Sequence, residues 1–354
     1  MKFADVLEIK NGRNQKQVEN PNGKYPIYGS GGIMGYADDY ICEPETVIIG
    51  RKGTINNPIY VESYFWNVDT AFGLQANKDI LLPKYLYYFC VNFNFESLNT
   101  TVTIPSLTKA NLLQIDISVP KLSVQKRIVD ILSQVDKLLD LQKQQLTKLD
   151  QLVKSRFIEM FDLNHCKKTP LGNCTDFVDY RGHTPELSDK GTIRMINAKS
   201  VGKGYFKYVD EFVTEETYNA WMHRGFGYAG DILFVTEGHT FGNTCLIPAD
   251  MNKFALGQRV ITIKGHQEIC NAFLCAYMQT DMFWKDINVY RTGGTAQGIR
   301  SKDLVKVCVP IPPIDLQNEF ASFVEQTDKS KLAVQQSLEK LETLKKSLMQ
   351  QYFG

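Results

Sequence analysis

Two stretches of this chain repeat each other, and the repeat limits the folds open to it. Ser118–Leu139 reads SVPKLSVQKRIVDILSQVDKLL and Pro310–Lys331 reads PIPPIDLQNEFASFVEQTDKSK. The offset that carries Pro120 onto Pro312 also carries Leu112 onto Leu304, Ile115 onto Val307, Ile117 onto Val309 and Gln125 onto Gln317. It holds further on, for Asp136 and Asp328, Leu149 and Leu341, Ser155 and Ser347, Phe161 and Phe353. Two amphipathic helices can always be aligned. An alternating segment, a proline corner and a glutamine just inside the helix are not generic, so the repeat is a duplication.

Each preface, LLQIDISVP and LVKVCVPIP, alternates apolar and polar residues as a half-buried strand does. The prolines end the strand, because they cannot donate to its ladder. Ser123 and Asp315 are the expected helix N-caps. Then come two long runs without proline or glycine. Positions 128, 132, 135, 139, 142, 146, 149, 153, 156 and 160 are apolar except for Gln142 and Arg156. Their counterparts from Phe320 to Tyr352 are apolar except for Thr327, Lys331 and Lys345. Each run predicts a helix of about 39 residues, about 58 Å long, with a seam that buries itself against another helix. The polar interruptions differ between the copies, which predicts that the two helices pack on each other in one register. If they pair antiparallel, two globular regions lie at the ends of a rod with a pseudo-twofold axis.

The expected architecture is therefore mixed α/β, with two globular domains and two long helices forming an antiparallel coiled coil. The expected boundaries are 1–121 and 164–313 for the domains, and 122–163 and 314–354 for the helices. A length of 354 residues suits two domains. Net charge is +1, so a surface for a polyanion has to be local, with acidic residues kept elsewhere. The eight cysteines are scattered without a C-x-x-C, and the histidines have no metal-ligand spacing. These features predict free thiols in a reducing compartment and no zinc. The N-terminus has no apolar signal core and no stretch reaches transmembrane length, so a cytoplasmic protein is expected.

The globular regions echo each other faintly. TVIIGRKGTI (from Thr46) resembles DILFVTEGHTFG (from Asp231), and AFGLQAN (from Ala71) resembles ALGQRVITIK (from Ala255). KYLYYFCV (from Lys84) resembles AFLCAYM (from Ala272), and LNTTVTIPSLT (from Leu98) resembles YRTGGTAQGIR (from Tyr290). Cationic polar loops recur in both regions. GRKGT puts Arg51 and Lys52 on a turn, and YGSGGIMGY is glycine-rich between tyrosines. From Arg181 to Lys207 six basic residues face two acidic ones, so this stretch carries a local positive charge. Arg and Lys neutralise phosphates, and Arg, Asn, Gln, Ser and Thr can read base edges. The pattern points to a nucleic-acid face in each region.

Catalytic signatures are missing from the sequence. There is no P-loop motif, and GSGGIMG is not G-x-G-x-x-G. NNPIY only faintly echoes the Asn-Pro-Pro-Tyr loop of amino-methyltransferases. His239, in GHT, has no identifiable nucleophile or carboxylate partner in the sequence, and a ligand-contacting loop histidine is the simpler reading.

With both helix starts in view, and with YRGHTPELSDKGTIRMINAKSV and GDILFVTEGHTFGN in the second region, the chain resembles the specificity subunits of type I restriction-modification systems over nearly its whole length. The resemblance implies two target-recognition domains, each reading half of a split DNA site, spaced by an antiparallel coiled coil. It implies no active site in this chain. The partners implied are double-stranded DNA, two modification subunits that bind S-adenosylmethionine and methylate adenine, and restriction subunits that translocate and cut DNA. No cofactor is expected in this chain itself. The first domain begins almost at Met1, so an N-terminal extension completing the symmetry is not expected. YPIYGSGGIMGY and YRGHTP belong to different recognition-domain subtypes, so the half-sites are expected to differ. The expected DNA contacts are Tyr28, Ser30, Arg51, Lys52 and Thr54 in the first domain. In the second they are Arg181, Lys199, Lys203, Thr236, His239, Arg259 and Arg291. Gln125 and Gln317 are the expected partner-docking residues. The residues alone also admit another class of protein, a coiled-coil scaffold with two protein- or glycan-binding heads.

Overall fold

The structure is a computed structural model and describes residues 1–98, 106–180, 184–291 and 297–354. It divides into two compact units, Met1–Gln144 with Val334–Gly354, and Gln145–Ala333. Each unit is a mixed α/β domain carrying part of both long helices, which span Leu122–Met160 and Ile314–Phe353.

In the first unit an antiparallel sheet has the order Leu7–Asn11, Ala71–Ala76, Thr46–Gly50, Ile59–Val61. Thr46–Gly50 (TVIIG) is buried at every position. A strand covered on both faces reads as a continuous β-branched run rather than an alternating one. A second sheet joins Gly32–Ala37, Tyr25–Gly29 and Trp66–Asn67. The helix Pro83–Asn92 opens on a proline, which loses nothing at a first-turn position where the amide would be unpaired. Its Tyr85, Leu86 and Phe89 share a core with Phe3, Ile49, Leu74, Ile128, Leu132 and Met349.

In the second unit the corresponding sheet has the order Thr244–Leu246, Ile232–Val235, Val260–Gly265, Thr175–Asp179, again antiparallel. Phe212–Val213, Ile193–Ile196 and Phe254–Leu256 form a smaller sheet. Its core is aromatic where the helices meet the domain. Phe157 and Phe161 lie 5.5 and 5.6 Å from Phe320, and Phe161 lies 4.7 Å from Phe273, all edge-on.

The seam is where the periodicity places it. In the first unit Val135 and Leu139 cluster with Leu338, while Ile128 and Leu132 cluster with Met349, an antiparallel pairing. In the second unit Lys331 meets Asp150 at 2.8 Å and Arg156 meets Glu319 at 3.0 Å, again antiparallel. Four of the five polar seam positions have partners, and the exception is Gln142, whose buried Oε1 has none among the described residues. Lys345 meets Asp136 at 2.6 Å, Asp136 accepts from the Tyr88 hydroxyl at 2.8 Å, and buried Thr327 donates to the Phe323 carbonyl at 2.9 Å.

Two local expectations change. Neither preface forms a long strand. Lys109–Leu113 and Ser301–Leu304 are helical, and only Cys308–Pro310 forms a ladder, with Lys168–Pro170. In the first unit the available partner is the very start of the chain. Ile117 N–H donates to Met1 O at 2.8 Å and Phe3 N–H to Ile115 O at 2.9 Å, too short a pairing for a ladder. The alternation still places Ile115, Ile117, Val307 and Val309 inside. Ser123 and Asp315 are not the caps either. The carbonyls of Lys121 and Pro313 accept the first amides of each helix, so both polar residues lie inside the first turn.

Candidate nucleic-acid interface

Each domain builds the same corner at the end of its central strand, and backbone bonds hold it. In the first domain Arg51 N–H donates to Thr70 O at 2.7 Å and Leu107 N–H donates to Arg51 O at 2.9 Å. In the second, Thr236 N–H donates to Arg259 O at 2.8 Å and Ile299 N–H donates to Thr236 O at 2.9 Å. One residue on, Lys52 bridges Ser106 as Glu237 bridges Gly298. Arg51 thus corresponds to Thr236, Lys52 to Glu237 and Thr70 to Arg259. The strand pairs agree, with Gly50 opposite Ala71 and Val235 opposite Val260. The counterpart of AFGLQAN is therefore VITIKG, not the ALGQR that precedes it.

In the first domain this corner gathers Ser30, Arg51, Lys52 and Thr54. A Cβ on Gly50 would lie 2.0 Å from Thr54 O and 2.9 Å from Ser30 Cβ, so only glycine lets the two loops close on the strand end. Gly53 turns the chain back at φ +80°, a conformation glycine adopts at low cost. Arg51, Lys52 and Thr54 are exposed, and the Arg51 guanidinium sits 5.8 Å from the Phe72 ring centroid. Lys52 makes no side-chain bond among the described residues. Tyr28 is half-buried against Phe65, with ring centroids 5.3 Å apart. Burial, with Tyr36 adding to it, raises the pKa of its phenol, so it stays a hydrogen-bond donor at neutral pH.

In the second domain the corner gathers His239 and Arg259. Arg259 has a left-handed backbone, φ +70°, which costs a non-glycine residue roughly 1–2 kcal/mol. Its Nε donates to Glu237 Oε1 at 3.0 Å. His239 is exposed, next to Gly238 at φ +98°. Arg291 bonds Asn288 Oδ1 at 2.8 Å and lies 5.6 Å from the ring centroid of Phe241, on the same loop as His239.

The remaining expected residues fare differently. Thr236 is 1% exposed and its hydroxyl has no bond among the described residues. It cannot touch a ligand at the surface, and its backbone is what builds the corner. Gln125 and Gln317 are both 0% exposed, which rules them out as docking residues. Gln125 Nε2 donates to Pro120 O and Ile80 O at 2.7 and 2.8 Å while its Oε1 accepts from Leu82 N–H at 2.8 Å. Gln317 does the same with Pro312 O, Glu268 O and Cys270 N–H at 2.8, 3.1 and 2.8 Å. Both glutamines fasten a helix start to its own domain. Lys199 pairs with Glu211 at 2.5 Å, and that contact holds the Glu211 carboxyl below the usual range. Lys203 is exposed, beside the turn at Gly204. Arg181 lies outside the described residues, as do residues 99–105 and 292–296 of the fourth echo.

Sequence reading missed two features. Glu237 looks like an unremarkable loop acid until its bond to Arg259 is seen. Tyr25, Tyr40 and Tyr64 form a trio with centroids 4.6 to 6.5 Å apart. These three are distant in sequence, and the hairpin ending at Ala37 together with the Cys42–Phe65 bridge brings them together. No cluster of metal-ligating side chains occurs among the described residues, and none of their helices is long and apolar enough to cross a membrane.

Comparison with known proteins identifies relatives along nearly the whole chain. A type I restriction enzyme specificity subunit of Methanocaldococcus jannaschii is 24% identical, covering 86% of this chain and 74% of its own length. A candidate type I restriction enzyme specificity subunit of Haemophilus influenzae is also 24% identical, over 93% of this chain and 88% of its own. The crystal structure of a type I restriction-modification system S subunit from M. genitalium superposes with a TM-score of 0.67 at 17% identity. It covers 100% of this chain and 95% of that one, which establishes the likeness of fold. The sequence profile of the type I restriction modification DNA specificity domain matches residues 1–151 and again 160–344. With both halves of the duplication matched, the chain belongs to the type I restriction modification DNA specificity domain family.

Proposed function

We propose that this chain is the DNA-reading subunit of a type I restriction-modification complex, each domain binding one half of a split double-stranded site. The observation that carries this is the shared corner. Its backbone bonds are the same in both domains, while its side chains differ: Arg51 and Lys52 in one, Glu237 and Arg259 in the other. A common frame with different polar side chains suits two readers of different half-sites. Tyr28, Ser30, Arg51, Lys52 and Thr54 are the contacts in the first domain. In the second they are Arg181, Lys199, Lys203, His239, Arg259 and Arg291.

The chain acts without an active site of its own and in the cytoplasm. Its cysteines are all free thiols, which suits a reducing compartment. Two modification subunits, carrying S-adenosylmethionine, methylate the DNA, and restriction subunits translocate and cleave it. The modification subunits dock on the exposed faces of the long helices, and Gln125 and Gln317, being buried, take no part.

Expression with the cognate modification subunit, followed by methylome sequencing, tests the proposal. The expected result is one bipartite adenine-methylated motif that depends on this chain. No such motif, with the subunits co-purifying, would overturn it.

A further inference from the structure

Arg259 and Glu237 form an assembly that the first domain lacks. Arg259 directly precedes the strand Val260–Gly265, at φ +70°. Glu237 follows the strand Ile232–Val235 by two residues. The Thr236–Arg259 backbone bond and the Glu237–Gly298 bridge fix both main chains. Glu237 Oε1 holds Arg259 Nε at 3.0 Å, and the two side chains are 49% and 54% exposed. The Nη1 and Nη2 donors of Arg259 have no partner among the described residues, and the pair stands at the surface.

We propose that Arg259 reads one guanine of the second half-site through Nη1 and Nη2, with Glu237 as its positioning residue. This rests on the DNA-reading function proposed above. The carboxylate argues for a base rather than a phosphate. An arginine neutralised by an adjacent glutamate has little net charge left to attract a phosphate, and the carboxylate repels one. It keeps two directed donors. The guanine edge in the major groove offers two uncharged acceptors, O6 and N7, in the spacing of that fork. Holding Nε fixes the plane of the guanidinium, which a bidentate contact needs and a point-charge contact does not. At the equivalent place in the first domain stands Thr70, so the feature belongs to the second half-site alone.

Selection from a randomised duplex pool tests this, using the full chain with its modification subunits. The wild-type protein is expected to fix a guanine within the second half-site. Arg259→Lys keeps the charge and removes the fork, and it should cut the preference at that position by about tenfold or more. Other positions and the salt dependence should stay the same. Glu237→Gln keeps an acceptor for Nε and should retain the preference, while steepening the salt dependence as the negative charge is lost. Glu237→Ala should weaken the same position as Arg259→Lys does, with an unchanged melting temperature. If Arg259→Lys leaves every base preference intact, or if Arg259→Ala weakens all sequences alike and lowers the salt slope, the contact is to phosphate and the inference is wrong. If the wild-type protein selects no sequence at all, it is the DNA-reading function that fails.

Discussion

Gln125 and Gln317, equivalent across the duplication, each close the same three hydrogen bonds within their own domain. Either side chain replaced by Ala strands a backbone amide and two carbonyls. An unsatisfied buried group costs about 1–3 kcal/mol, so Gln125→Ala and Gln317→Ala should each destabilise the protein by at least that much in urea unfolding. Gln→Glu should be worse, because a carboxylate cannot donate to the two carbonyls. A change within about 0.5 kcal/mol, as at an ordinary surface site, would show that these bonds are not made in solution.

Gly50→Ala should disturb one half-site only. The added Cβ meets a backbone oxygen at 2.0 Å, so the loop carrying Arg51, Lys52 and Thr54 has to move. Footprinting or methylome sequencing should show the first domain's bases relaxed and the second domain's kept. Equal loss in both halves would contradict the separate corners.

Lys52 is an exposed cation with no side-chain bond among the described residues, which suits a phosphate contact. Lys52→Ala should weaken binding to all sequences alike and lower the slope of log affinity against log salt by about one. A change of base preference would assign it to a base instead.

The helix seam should be graded by depth. Leu132 is 0% exposed and Leu141 is 49% exposed. Leu132→Ala should cost about 2–5 kcal/mol as a cavity forms, and Leu141→Ala about 0.5 kcal/mol or less. Equal costs would mean that the helix is rotated from the orientation described.

Stability should fall on the alkaline side. Burial pushes the thiols of Cys42 and Cys275 up to about 12, from an ordinary value of 9.0. The folded state then holds protons that the unfolded chain releases. The stabilisation is full below pH 9 and is lost as pH rises from 9 toward 12. Half-buried Tyr60, raised to about 12 by partial burial and by Glu45 and Glu62 beside it, adds to the loss above pH 10. Unfolding free energy measured at pH 8, 9, 10 and 11 should therefore decline. A flat profile would mean that these thiols are accessible to water in the folded protein.

The long helices were legible because a seam position repeats every few residues, and the repeat itself gave an internal check. Burial follows that period from Ile128 to Leu139 and again at Phe320, Val334 and Leu338. The corner was half legible. GRKGT announces its turn through two glycines, whereas Arg259 depends on a left-handed conformation that no neighbouring residue signals. Gln125 and Gln317 were visible but misread. A glutamine at a helix start looks exposed in sequence, and only the loop ending at Leu82 or Cys270, some forty residues earlier in each case, reveals it as a buried clamp. Thr236 was misread for a related reason: the backbone at that position does the holding, and the hydroxyl points inward.

The main-chain bonds that frame each corner do not involve its polar side chains. A mutation at Arg51, Lys52, Glu237 or Arg259 breaks none of the bonds between Arg51, Thr70 and Leu107, or between Thr236, Arg259 and Ile299. A single substitution at one of these positions therefore leaves the backbone frame of its own corner in place, and that of the other corner untouched.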